Sequence, residues 1–254
     1  GQAGTAYRFI TADYAAAMDI GTVDPRITAM HLWALGVGPE RQRLRGRLSY
    51  AVEKVGIFEL SVAMPEPWEV TKVGPENLVE DHRLVGRGED RRLNILLRRE
   101  QLGSFHVELE ARAPRAAPDA DVSFVLPRAD AAHRKLYLGQ VVLHLADQLR
   151  AEVAGLDQLQ PLPLGKARSW TDVPEAEPAM AFEFQALDPD RPAGARLRIA
   201  VKPTQISATT HRLADIRPGS VRHEAVLDYR IRYAPADTLY LRLPAALADR
   251  DVRI

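Results

Sequence analysis

Two segments far apart in this sequence share one pattern of apolar residues, and this repetition limits the fold more than any other feature. The segment RLSYAVEKVGIFELSVAMP begins at Arg47, and VLDYRIRYAPADTLYLRLP begins at Val226. Tyr50 and Tyr229 occupy the same place in the two segments and lie 179 positions apart. The fold must therefore accommodate the same kind of element twice.

The same offset of 179 positions aligns residues 16–73 with residues 195–252 without a gap. Identical pairs occur along the whole stretch: Ile20 with Ile199, Ile27 with Ile206, Pro39 with Pro218, Arg43 with Arg222, Leu48 with Leu227 and Pro65 with Pro244. Chance explains short matches between alternating strands, but not one register held across several strands and turns. We interpret the pattern as an internal duplication, and we expect the chain to be a piece of a longer tandem array.

Apolar and polar residues alternate along most of the chain, as they do in strands that bury one face. The segment FELSVAMP places four apolar side chains on one predicted face: Phe58, Leu60, Val62 and Met64. The segment TLYLRLP does the same with Leu239, Leu241 and Leu243. Such alternation is typical of antiparallel sheets, and closely spaced turns indicate a β-sandwich. The sequence predicts an all-β fold of two antiparallel β-sandwich-like domains with an internal structural repeat, residues 16–73 and 195–252 being equivalent.

Few segments favour a helix. The best candidate is LADQLRAEVAGLDQL, which begins at Leu145 and repeats apolar residues at a spacing of four. The overlapping segment VVLHLADQLRAEV also alternates around a turn at Asp147, and we favour two strands there. The segment GRGED, residues 86–90, lies between two alternating runs and predicts a hairpin turn.

Proline-rich stretches mark the predicted organisation of the chain. Residues 111–121, ARAPRAAPDAD, have no apolar face, and proline cannot donate a ladder hydrogen bond. We place the domain boundary here. Residues 1–115 would form one β-sandwich-like domain, the tail of one repeat unit, and residues 116–254 a second one, the start of the next. A further proline-rich stretch, residues 160–178, is expected to cross an edge or end of a sandwich.

Composition narrows the class of protein. The 254 residues are 46% apolar, which is enough for a substantial core, and 34 basic residues balance 34 acidic ones. This balance gives no bulk attraction to nucleic acid. The absence of cysteine excludes disulfides and thiolate catalysis. It suits an exported protein and also a cytosolic one, and we favour the first. No apolar run is long enough for a membrane helix, so we expect no membrane insertion within this segment.

Catalytic motifs are missing from the sequence. It contains no GxxxxGKS/T phosphate loop, no GxSxG elbow and no HExxH zinc helix. His106 and Glu108 share a predicted strand face, which a solvated outer face explains. Asp81 precedes His82, which a polar loop entering a strand explains. Two carboxylates, Asp188 and Asp190, fall far short of the six to eight oxygens that calcium needs. We therefore predict no catalytic residues, no metal site and no cofactor.

Tryptophans are the remaining candidates for ligand binding, since aromatic faces stack on sugars and anchor interfaces. Trp170 lies in the proline-rich stretch, and Trp33 aligns with Arg212 of the second copy. These two residues are the ligand-binding candidates, although a core or loop-pinning role is the simpler explanation of each. Trp68 aligns with Leu247, which favours a core role. The arginine-rich segment RQRLRGR, residues 41–47, would line one solvated strand face.

The sequence favours a function without catalysis. We expect a structural or protein-interaction β-module of a larger tandem-repeat protein, exported or in the cell envelope. The Ala- and Arg-rich style of the sequence suggests a bacterial source. One alternative is a carbohydrate-binding or accessory module of a carbohydrate-active protein. A second alternative is a hydrolase with carboxylate and histidine chemistry, for example Asp81 with His82 or Glu108. A protein or glycan partner is expected, and no nucleic acid.

Overall fold

The computed structural model describes residues 23–129, 134–168, 170–171, 173–174, 176–185 and 191–242, without the side chains of residues 134–137. The described chain forms strands β1 (Arg26–Val37), β2 (Arg41–Ala63), β3 (Glu69–Gly74), β4 (Val79–Val85), β5 (Arg92–Pro114), β6 (Val122–Val125), β7 (Arg128–Ala129), β8 (Arg134–Leu145), β9 (Leu149–Asp157), β10 (Gln160–Leu162), β11 (Glu177–Gln185), β12 (Gly194–Val201), β13 (Gln205–Arg217) and β14 (Ser220–Arg232). Two single 3-10 turns, Gly88–Asp90 and Leu164–Lys166, complete the regular structure, and these residues contain no α-helix. The all-β prediction is confirmed.

Local turn signals also agree with the structure. The segment that could have been a helix forms β8 and β9 instead, with the turn between them at residues 146–148. The segment GRGED joins the antiparallel strands β4 and β5, and Gly86 has the positive φ of 79° that such a turn requires.

The strands form three sheets. A nine-stranded sheet has the order β10-β11-β8-β1-β2-β5-β3, with β4 beside β5 and β7 beside β2. A three-stranded sheet has the order β6-β12-β9, and β13 pairs with β14 in a separate hairpin. One pairing departs from the antiparallel pattern, because β1 and β8 run parallel. The large sheet is therefore mixed.

The first two sheets share one hydrophobic core, as in a β-sandwich. Alternate residues of the large sheet, such as Leu35, Leu48 and Val107, belong to the same buried cluster as Phe124 and Leu197 of the small sheet. This arrangement follows from the alternation in the sequence, since successive strand residues point to opposite faces. The core is therefore built from residues on both sides of position 115.

Strand pairing also crosses residue 115, where we placed the domain boundary. β8 lies beside β1, and β7 lies beside β2. The proline-rich segment 111–121 is anchored at its centre, because the Arg115 guanidinium donates hydrogen bonds to the carbonyls of Gly38 (2.6 Å), Pro118 (3.0 Å) and Ala120 (2.8 Å). The predicted division therefore separates strands that pair with each other.

A bulge in β2 changes the predicted face at one position. The β2–β5 register shifts between Val52 and Glu59, and Lys54 has a φ of 72°. Ile57 is consequently buried with 9% of its surface exposed, whereas Phe58 is 56% exposed. The prediction of an inward Phe58 is wrong because a bulge inserts an extra residue and reverses the alternation. Beyond the bulge, Leu60, Val62 and Met64 are buried as predicted.

The β13–β14 hairpin has the register of the β1–β2 hairpin. Arg26 pairs with Glu53 in the first, and Gln205 pairs with Arg232 in the second, so both partners move by 179 positions. Lys54 has a φ of 72°, and Tyr233, again 179 positions on, has a φ of 74°. The two hairpins differ in burial, because β13 and β14 are exposed along most of their length.

The second hairpin ends earlier than predicted. Leu239 and Leu241 are exposed and lie outside any strand, and Leu243 falls outside the described residues. In the first copy the corresponding end of β2 pairs with β5 and β7. Residues 233–242 have no such neighbour within the described part of the chain, which is the physical reason that the predicted strand TLYLRLP does not form there.

Candidate functional site

The outer face of the large sheet, opposite the core, carries a ladder of opposite charges. The β2–β5 register places Arg45 opposite Glu110 and Arg47 opposite Glu108. The guanidinium and carboxylate groups form ion pairs of 3.1 Å and 3.0 Å. All four side chains are partly exposed, so each pair stabilises the fold by only about 0–1 kcal/mol. The ladder fixes side-chain positions more than it contributes stability.

A strap, defined as the described residues between 163 and 176 (163–168, 170–171, 173–174 and 176), crosses this outer face. Its 3-10 turn begins after Pro163, and the Arg168 backbone N–H donates to Gln140 Oε1 on β8 at 2.9 Å. Farther along, Val173 packs on Gly36 of β1, where an added Cβ would overlap Val173 Cγ1. The strap therefore buries the outer side of β1, whose residues 31–37 are buried on both faces.

Trp170 lies where the strap passes over the charge ladder. Its indole Nε1 donates a hydrogen bond to the Leu32 carbonyl at 3.1 Å. The Arg47 guanidinium carbon lies 4.9 Å from the centroid of the Trp170 ring, within the range of a cation–π contact. Arg45 donates to Thr171 Oγ1 at 2.7 Å. Trp170 is thus held on the sheet by its ring, by its indole nitrogen and by the adjacent residue, Thr171.

The two tryptophan candidates lie on opposite sides of β1. Trp33 points into the core with 1% of its surface exposed and meets His31 edge-on, with the ring centroids 5.7 Å apart. Trp170 is half-buried on the outer side. The structure does not bring the two rings together, and only Trp170 has a surface that a ligand could contact. Trp68 is also buried, and its indole nitrogen donates to the Val125 carbonyl at 3.2 Å.

The acidic and histidine candidates are separated. Glu108 is engaged by Arg47, and His106 lies one row away along β5. Asp81 and His82 lie on β4, where His82 pairs with Ile95 near the opposite end of β5. Asp81 Oδ1 accepts a hydrogen bond from the His82 backbone N–H at 2.8 Å. No cleft therefore combines these acids with a histidine in the described residues.

No metal centre is visible in the part of the chain that the structure describes, where no three His, Asp or Glu side chains cluster. Asp188 and Asp190 lie outside the described residues. The described residues also contain no helix long and apolar enough to span a membrane. Burial raises the pKa of Tyr50 far above its ordinary value, so its phenol stays protonated within the core.

Two shallow cavities lie on this side of the sheet near the strap. One has a volume of about 340 Å³ and includes Ser49, Ser104 and His106. The other, of about 440 Å³, includes Arg41, Arg43 and Pro174. The first cavity places Ser49 opposite His106 in the β2–β5 register but is lined by no carboxylate, and the second is lined by no histidine, so neither has the complete nucleophile, histidine and acid set of a serine hydrolase.

Sequence reasoning did not identify the residues that organise this face. Arg45, Arg47 and Thr171 hold Trp170, whereas the arginines were predicted to be solvated charges. A usable signal existed, because Arg45 and Arg47, two positions apart in β2, match Glu110 and Glu108, two positions apart in β5. Pairing them requires the strand register, which a single sequence does not supply.

Comparisons with known proteins find no matching protein family and no matching curated protein. Among solved structures, an M1 zinc metallopeptidase from Deinococcus radiodurans matches with a TM-score of 0.40 and 12% identity, over 91% of this chain and 52% of that chain. A mutant of that peptidase bound to a Tyr-Ser-Ala substrate matches with a TM-score of 0.40 and 10% identity, over 80% and 47%. The chain spans about half the length of these proteins. At this TM-score and identity, the likeness identifies neither a family nor an activity for the chain.

Proposed function

We propose that this chain is a non-catalytic β-module of a larger tandem-repeat protein, in which it acts as a structural spacer or protein-interaction unit. The observation that carries the proposal is the agreement between the two hairpins. β1–β2 and β13–β14 share one register at an offset of 179 residues, and each places a non-glycine residue with positive φ, Lys54 or Tyr233, just after its last pair. Non-glycine residues with positive φ are uncommon, so their equivalence supports common design.

The chemistry of the outer face also supports a structural role. Glu108 and Glu110 are engaged by arginines, and the same arginines hold the strap. Such contacts fasten surface segments to the sheet and leave these carboxylates without a free proton-transfer role. A cysteine-free sequence suits the exported or envelope location that is part of this proposal.

The two alternatives have less support. A sugar that stacked on Trp170 would compete with Arg47 for the ring, and Trp33 has no accessible ring face. A hydrolase would need acids and a histidine in one cleft, but Asp81 and Glu108 lie near opposite ends of β5. No observation on the described residues favours either alternative over the spacer.

Single-molecule force spectroscopy tests the proposal, because a spacer carries tension as one body. We expect β1 through β12 to unfold in one step, with a length gain of roughly 550–600 Å at about 3.5 Å per residue. The shared core and the β1–β8 pairing are the physical reasons. Two steps that divide the chain near residue 115, or extension without a force peak, would contradict the proposal.

A further inference from the structure

The β13–β14 hairpin has an apolar face that lies open. We define the hairpin face as the twelve residues that occupy inner positions by the β1–β2 register; three of them are polar, Thr210, Arg212 and His223, and nine are apolar: Ile206, Ala208, Ala214, Ile216, Val221, Ala225, Leu227, Tyr229 and Ile231. Eleven of their twelve counterparts in β1 and β2 are buried, and the twelfth, Ile27, is partly buried against the core. In the second hairpin, Ile216 is 76% exposed and Val221 is 56% exposed. A face this apolar is normally covered.

The first hairpin shows what covers such a face. The β6-β12-β9 sheet packs over its inner side, and β5 pairs along the free edge of β2 from Arg41 with Pro114 to Val52 with Gly103. The equivalent edge of β14, residues 220–231, pairs with no strand among the described residues other than β13. An unpaired edge beside an apolar face is a template for strand addition.

We propose that β14 is a docking edge for an antiparallel, β5-like strand of the tandem array, added as β5 is added to β2. This inference rests on the proposed tandem-repeat function and names its partner. The partner strand presents apolar residues to the hairpin face and polar residues to the other side. Main-chain hydrogen bonds supply its affinity, and the alternate side chains supply its register.

Charge on the outer side of β14 specifies the partner further. In the second hairpin, Glu224 is the counterpart of Arg45, and Asp228 is the counterpart of Ser49. In β5 the residues facing these positions are Glu110 and His106. Two like charges directly opposite each other are destabilising in a sheet. The docking strand therefore carries a basic residue opposite Glu224, and a basic residue or histidine opposite Asp228, where the first unit has Arg45 paired with Glu110.

A tethered strand tests this docking directly, since tethering raises its effective concentration. The full chain is extended after residue 254 by a Gly/Ser linker of about 20 residues and a copy of the sequence of residues 103–114 that carries the substitution Glu110→Lys. We expect amide hydrogen exchange of alternate β14 residues to slow at least tenfold relative to the unextended chain. A matched extension carrying Val107→Pro and Leu109→Pro should give no slowing, because proline cannot pair.

Two neighbouring positions of β14 provide matched controls within the chain. Leu227→Lys changes the hairpin face and should abolish the slowing. Val226→Lys changes the opposite side of β14. The new lysine would face the position of Glu108 in the added strand, so the slowing should be preserved. Both side chains are at least partly exposed in the hairpin, so neither change disturbs the core.

The outcomes separate this inference from the proposed function. No slowing, or equal slowing with the proline-containing extension, overturns strand docking and leaves the spacer proposal to the force measurement. Exchange at β14 that slows with increasing concentration of the unextended chain, in which β5 already pairs with β2, identifies self-association of the chain as the cover of this edge and overturns docking of a β5-like strand. The inference is supported if exchange slows with the original extension, if Leu227→Lys abolishes the slowing and if Val226→Lys preserves it.

Discussion

The ring of Trp33 lies where a side chain at position 46 would begin. β1 and β2 pair Trp33 with Gly46, and a Cβ on Gly46 would overlap the indole ring. In the second hairpin both partners differ together, since Arg212 replaces the tryptophan and Ala225 replaces the glycine. A glycine is therefore required at position 46 because of the large ring on the neighbouring strand.

Gly46→Ala should lower the free energy of unfolding by about 1–3 kcal/mol, the usual cost of overpacking a core. Urea unfolding of the full chain measures the change. Gly165→Ala is the matched control, because nothing lies within 4 Å of an added Cβ there and its φ is not positive. Equal effects of the two substitutions would show that Trp33 does not fix the residue at position 46.

Residue roles were only partly predictable. Alternation correctly predicts that Leu60 and Val62 face inward, because each strand residue has a definite side. It does not distinguish Trp33 from Trp170 as a ligand platform. The difference arises because Trp33 faces the core and Trp170 is held by Arg47 and the Leu32 carbonyl. These contacts join residues that are distant in the sequence, so the local sequence pattern does not predict them.

At the scale of elements, the β2 bulge stores backbone strain at an exposed residue. Lys54 has a φ of 72°, a region that costs a non-glycine residue about 1–2 kcal/mol. Lys54→Gly should therefore stabilise the chain by about 0.5–1 kcal/mol after the extra entropy of the unfolded glycine is subtracted. Thermal or urea unfolding measures this change.

Lys72→Gly, an exposed position of β3, provides the control for the bulge. It should destabilise the chain, because glycine weakens a strand interior. A loss of stability from Lys54→Gly comparable to that from Lys72→Gly would mean that the side chain at position 54 matters more than its backbone conformation.

The segment 111–121 is held by one side chain. Burial lowers the pKa of the Arg115 guanidinium, while the nearby Asp119 carboxylate raises it. Arg115→Ala removes hydrogen bonds to three carbonyls, those of Gly38, Pro118 and Ala120. We expect a loss of about 2–3 kcal/mol in unfolding free energy, given the strength of hydrogen bonds from a charged donor.

Arg112→Ala provides the comparison for Arg115. Its guanidinium pairs with Glu69 at 3.1 Å, but both side chains are about 60% exposed, so the loss should stay below about 1 kcal/mol. Similar losses for the two arginines, measured by denaturant unfolding, would show that the proline-rich segment is not anchored by Arg115.

The predictions for individual elements were wrong where the position of an element depends on its contacts with other elements. The proline-rich stretch 160–178 was expected at an edge or end, but residues 163–176 cross the outer face of the sheet, held by Trp170 and Val173. Phe58 faces outward because the bulge reverses the alternation. Proline content indicates where a ladder stops, but not which surface the freed chain then covers.

At the scale of the whole molecule, long-range pairing determines the architecture. Residue 115 looked like a boundary because its neighbours lack an apolar face. However, β1, which precedes residue 115 in the sequence, pairs in parallel with β8, which follows it. One sheet therefore contains strands from both sides of that residue. Two parallel strands need a long connection between them, and here it consists of β2 to β7. The local sequence does not predict that the chain returns to pair with β1.

The central claim is that β13–β14 repeats the design of β1–β2, and NMR of cross-strand Hα–Hα contacts tests it most directly. The account predicts that every contact within residues 26–53 recurs within residues 205–232, displaced by 179 positions, for example Ala29 with Tyr50 and Ala208 with Tyr229. A register displaced by even one residue would move Leu227 to the opposite side of the hairpin and contradict the claim.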